Sequence, residues 1–142
     1  MSDKNRQLTD HERRLVGWML QHGSPEALEF ATQLELAEVT PWRCPCGCAS
    51  FNFQIRGKPA APPGVHPIAD FVFGEKATLS GVFVYEKDGI LSGLEVYGLA
   101  GEAPKSLPEP EVLRPFGDWA AAEPLYGLSG QVPRTPTEAG GE

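Results

Sequence analysis

No stretch of about 18 apolar residues occurs in the chain, so no transmembrane helix is expected. The first ten residues, Met1 to Asp10, are polar and lack the apolar core of a signal peptide. Basic residues are scarce. Lys and Arg total 12 against 19 Asp and Glu, a net charge of −7. Clustered cations that would grip phosphates are therefore missing, and no nucleic-acid partner is expected. Cysteine is confined to three residues within one short run, at 44, 46 and 48. An odd, crowded set makes a poor disulfide framework for a secreted domain, so a reducing cytoplasm is the expected setting. Two catalytic signatures are absent as well. There is no Gly-x-Ser-x-Gly elbow and no Gly-x-x-x-x-Gly-Lys-Ser/Thr phosphate loop.

What is present describes one folded domain. The chain has 142 residues, of which 41% are hydrophobic, enough for a single core. Gly and Pro punctuate it unevenly. Residues 1–40 hold only Gly17, Gly23 and Pro25, whereas the loop Gly57 to Pro67 holds six such residues. Thr9 and Glu12 have the spacing of a capping box, and Leu15, Val16, Trp18, Met19 and Leu20 supply an apolar stripe behind it. Gly23 is placed to stop that helix in a left-handed conformation. Ser24-Pro25 is placed to start a second helix, with Ala27, Leu28, Phe30, Ala31, Leu34 and Ala37 at helical spacing until Thr40-Pro41.

Strand signals follow. Phe51, Phe53 and Ile55 alternate with polar residues, Ile68 to Phe73 is a short apolar run, and Leu79–Glu86 and Ile90–Leu99 flank Asp88-Gly89. A two-residue loop there pairs Lys87 with Ile90, Tyr85 with Ser92, Phe83 with Leu94 and Gly81 with Val96, which puts Phe83, Tyr85, Ile90, Leu94 and Val96 on one face. The expected fold is α+β. A two-helix hairpin packs on a mostly antiparallel sheet of about four strands, followed by an irregular Pro/Gly-rich tail. Residues 1–128 form the domain in this reading, with Val112, Leu113, Phe116, Trp119, Leu125 and Tyr126 docking on its body. Residues 129–142 form a flexible tail.

The run Cys44-Pro45-Cys46-Gly47-Cys48 is the sharpest chemical feature. Three thiols in a tight turn can converge on one point, and thiolates suit zinc, which wants four ligands. His66 is the candidate fourth ligand, ahead of His11 and His22. The bland reading makes the cysteines small buried hydrophobes in a Pro/Gly turn. A redox reading cycles Cys46 and Cys48 between dithiol and disulfide, with Arg43 lowering a thiol pKa. Asp70, Glu86 and Glu95 lie in or beside strands and two of them, if close, could do acid–base work, but their spacing does not show that they meet.

Two segments carry a resemblance. Arg43-Cys44-Pro45-Cys46-Gly47-Cys48-Ala49-Ser50-Phe51 precedes a strand, and Asp88-Gly89-Ile90-Leu91-Ser92-Gly93-Leu94-Glu95-Val96-Tyr97-Gly98 is a turn plus strand that leads into a Pro-rich run to Leu107-Pro108. With the Leu8-Thr9 helix start they resemble a group of small uncharacterised bacterial proteins, over roughly residues 8–117. The resemblance implies a bacterial, cytoplasmic protein and brings no activity with it. Residue chemistry then points first to a small accessory protein, not an enzyme, that binds a protein partner or itself, as acidic immunity proteins do. The alternative is a thiol-dependent zinc or redox protein built on Cys44, Cys46 and Cys48.

Overall fold

The structure is a computed structural model that describes residues 4–116. The expected tail, 129–142, lies outside the described residues, as do the end of the 1–128 domain and the docking residues Trp119, Leu125 and Tyr126.

The first helix forms as its sequence predicts. In α1 (Asp10–His22) the Thr9 hydroxyl accepts from the Glu12 N–H at 3.0 Å, and a Glu12 carboxylate oxygen accepts from the Thr9 N–H at 2.9 Å. Leu15, Val16, Met19 and Leu20 form its fully buried stripe. Gly23 ends the helix in an extended conformation (φ −88°, ψ −152°) in place of the expected left-handed one. The chain turns at once so that the Ser24 N–H donates to the Ile68 carbonyl at 2.8 Å.

The second helix does not form as expected. Pro25–Phe30 is a 3₁₀ segment, α2 (Ala31–Glu35) is little more than one turn, and the chain then enters a strand. The Ser24 side chain makes no capping bond. Ala37 fits the helical stripe by spacing, but Ala37 and Val39 alternate with Glu38 at period two, and both are buried in a strand that pairs with its neighbours. Tertiary pairing overrides the local pattern.

Among the described residues seven strands make one antiparallel sheet: β1 (Arg6–Gln7), β2 (Ala37–Val39), β3 (Phe51–Ile55), β4 (His66–Phe73), β5 (Ser80–Lys87), β6 (Ile90–Gly98) and β7 (Arg114–Pro115), in the order β1-β2-β3-β6-β5-β4-β7. The four strands read from the sequence are its centre. The expected α+β fold, a two-helix hairpin on about four strands, is therefore corrected to a mostly β fold with two short helices. The missed strands are two or three residues long at the two sides of the sheet, too short to carry a period.

The hairpin also differs in register. Lys87 pairs with Ile90 as the two-residue loop demands, with Asp88 at φ 53° and Gly89 at φ 82°. Ser92 is then an extra residue on β6, a bulge that shifts Tyr85 onto Gly93 and Val84 onto Leu94. As a result Val82, Val84, Leu94 and Val96 share the buried face under α1, while Phe83, Tyr85 and Tyr97 share the other. That aliphatic face, with Phe51, Phe53, Ile55 and Phe71, packs on the α1 stripe as the core. Burying each such side chain contributes about 1.5–3 kcal/mol. Among the described residues no helix is long and apolar enough to cross a membrane.

Candidate functional site

The three cysteines lie in the connection between β2 and β3. The Gly47 N–H donates to the Cys44 carbonyl at 2.9 Å, closing a turn in which Pro45 fixes its own φ and Gly47 takes φ 85°. The chain leaving the turn is tied down from two distant places. The Ala49 N–H donates to the Pro104 carbonyl at 3.0 Å, and the Val96 N–H donates to the Ser50 hydroxyl at 3.0 Å. These anchors hold the turn against the end of β6 and the loop that follows it.

The sulfurs converge. All three Sγ atoms lie within 4.8 Å of one another, with Cys44 and Cys46 at 3.0 Å. A tetrahedral zinc with Zn–S near 2.3 Å spaces its sulfurs about 3.8 Å apart, inside that spread. The Cys48 N–H donates to the Cys46 sulfur at 3.3 Å, and the Cys48 sulfur lies 3.2 Å from the Ser50 hydroxyl. Cys46 is exposed and the other two are half-buried, so they are not the buried core residues of the bland reading. Three close thiols can share one metal ion.

Their environments differ. The contact with the Cys46 thiol pushes Cys44 up to about 11. Partial burial opposes ionisation of Cys48, but hydrogen bonds from the Ser50 hydroxyl and N–H and from the other two thiols outweigh it and bring Cys48 down to about 7.

The turn opens onto a cleft of about 760 Å³, whose walls include Trp42, Arg43 and Lys105. Arg6 and Glu12 line it too. Arg6 holds both Glu12 oxygens, at 3.0 and 2.8 Å. Burial works against the Glu12 charge, yet Arg6 and the Thr9 N–H keep its carboxyl below the usual range.

The structure does not bring His66 to the sulfurs. Three strand spacings, roughly 14 Å, separate β3 from β4 in the sheet order. His66 Nδ1 instead meets a Glu86 oxygen at 2.5 Å, and Nε2 lies 3.6 Å from Glu26. His11 faces the Pro108 carbonyl at 3.0 Å, and His22 stacks on Trp18 at 4.1 Å. The carboxylates stay apart as well. Asp70 and Glu95 flank Phe83 from opposite sides, and Glu86 sits at the hairpin end. Burial lifts Asp70 to about 6 against the pull of the Tyr97 hydroxyl, and its Oδ1 has no hydrogen-bond partner. Glu95 is exposed and does not face a covered surface.

Sequence reasoning missed Ser50 and Lys105. Ser50 had a signal, because residues 48 and 50 share one side of any extended run. Lys105 had none, since its place depends on the Ala49–Pro104 bond. No protein-family model, curated protein or solved structure matches the chain.

Proposed function

We propose that the chain binds a soft or borderline metal ion, zinc first, through Cys44, Cys46 and Cys48. The convergence of three sulfurs within 4.8 Å, in a turn braced from two distant segments, carries the reading. Three protein thiolates leave a fourth position on the metal side of an open cleft, the arrangement of exchangeable or reactive sites. The experiment is elemental analysis of protein purified without chelator. About one zinc per chain is expected, lost when all three cysteines become Ser, and chelator should lower the melting temperature until zinc is restored. Protein that refuses zinc while its thiols stay open to labelling overturns the reading.

A second reading, an accessory protein that binds a partner or itself in a bacterial cytoplasm, is favoured by the sheet face away from α1. There Phe83, Tyr85 and Tyr97 form a half-buried row with ring centroids 5.7 and 5.8 Å apart, the aromatic composition of many interfaces. Sedimentation at rising concentration tests the self-associating form. A mass that stays monomeric throughout removes it.

A further inference from the structure

We propose that the cleft beside the cysteine turn takes a small thiol that also carries a carboxylate. Its sulfur fills the fourth position of the metal, and its carboxylate meets Arg43 and Lys105. The inference rests on the metal reading above and adds the class of ligand.

The described residues are one donor short. Among the described residues no His, Asp or Glu joins the three sulfurs. Glu12 is the one carboxylate in the cleft wall, and Arg6 and the Thr9 N–H already engage it. The fourth donor therefore lies outside the described residues.

The charge of the wall selects an anion. The whole chain carries −7, yet Lys4, Arg6, Arg43 and Lys105 line the cleft against Glu12. Cations gathered in a concave site focus the field toward an incoming anion. The mostly exposed Lys105 side chain ends beside the turn, 3.9 Å from a Glu102 oxygen. Its backbone neighbour Pro104 accepts the Ala49 N–H, and its Nζ lies 3.9 Å from where a side chain on Gly47 would begin. Arg43 directly precedes Cys44 and also lines the cleft.

The donor set selects sulfur. Three thiolates make a soft centre, and a fourth completes the all-sulfur tetrahedron of many zinc sites. On binding, the incoming thiol gives its proton to solvent and its sulfur displaces the metal-bound water, with no change of oxidation state. The centre then gains negative charge, which Arg43 and Lys105 offset.

The test uses the full chain loaded with Co(II), whose thiolate-to-cobalt absorption grows with the number of bound sulfurs. Mercaptoacetate and 2-mercaptoethanol are titrated in turn at equal cobalt loading. Mercaptoacetate should raise that absorption at about five- to tenfold lower concentration than 2-mercaptoethanol, the yield of two partly exposed ion pairs. The gap should narrow with added salt and close in the Arg43→Ala/Lys105→Ala double variant. Equal titrations of the wild type, or a gap that survives in the double variant, overturn the proposal. So does mercaptoacetate that strips the cobalt instead of joining it. A chain that binds one cobalt but responds to neither thiol overturns this inference alone. A chain that takes up neither cobalt nor zinc overturns the metal reading with it.

Discussion

The turn at Lys87–Ile90 and the turn at Cys44–Gly47 both hold a glycine at nearly the same positive φ, 82° at Gly89 and 85° at Gly47. Around Gly89 two polar side chains serve the backbone. A Glu86 carboxylate oxygen accepts the Gly89 N–H at 2.8 Å, and Gln33 donates to the Gly89 carbonyl and accepts from the Leu91 N–H, both at 2.9 Å. Paired strands enter and leave that turn, so its geometry is fixed from both sides. Around Gly47 the ladder is absent. The backbone is braced instead by single bonds to Pro104 and, through Ser50, to Val96, and the three cysteine sulfurs converge on one another. A turn inside a ladder uses its side chains to close itself. A turn hung between remote anchors can present its side chains to a ligand, which is why chemistry gathers in such places.

The sharpest way to break this contrast is to strain both glycines alike. Gly89→Val meets open space, with nothing within 4 Å of the new Cβ, so the cost is the backbone alone. A β-branched residue at that φ should destabilise the fold by about 2 kcal/mol, because the flanking strands forbid relaxation. Urea denaturation reads this directly, and an unchanged midpoint would remove the hairpin turn as assigned.

Gly47→Val imposes the same φ conflict where the chain has room to yield. The metal-free protein should lose less than about 1 kcal/mol, while zinc affinity falls about tenfold as the sulfurs move apart. Competition with a chromogenic chelator measures the second effect. A stability loss equal to that of Gly89→Val would show that the cysteine turn is as tightly built as the hairpin, and the contrast would fail.

How much of this was legible follows the same division. Thr9 with Glu12, the stripe Leu15–Leu20, the alternation Phe51–Phe53–Ile55 and Asp88-Gly89 are local patterns, and each appears in the structure where its sequence places it. The convergence of three thiols was legible as a capacity of a Pro/Gly turn. The rest depends on partners far along the chain. Ala37-Glu38-Val39 becomes a strand because Arg6–Gln7 lies on one side of it and Phe53, Gln54 and Ile55 on the other. The bulge at Ser92 exchanges the hairpin faces without any Gly or Pro at that residue. His66 has ligand chemistry but belongs to a strand on the far side of β5 and β6, and Lys105 reaches the cysteines through a loop that no period describes.

The smallest effect separates the two ways of reading the cysteines. If Cys46 were packed in an apolar pocket, Cys46→Ser would leave a hydroxyl unsatisfied at a cost of about 1–3 kcal/mol. In the structure Cys46 is exposed, and its sulfur accepts the Cys48 N–H at 3.3 Å, a bond that a serine oxygen can also accept. The metal-free variant should therefore match the metal-free wild type within about 0.5 kcal/mol. Zinc then separates them. A ligand that binds only the folded state adds about 2.7 kcal/mol at a concentration one hundred times its Kd, and a site with one thiolate fewer holds zinc too weakly to gain that much. Melting curves with and without zinc should thus coincide for Cys46→Ser and diverge for the wild type. A variant that is already unstable without zinc would return Cys46 to the packed interior, and the turn would lose its claim to chemistry.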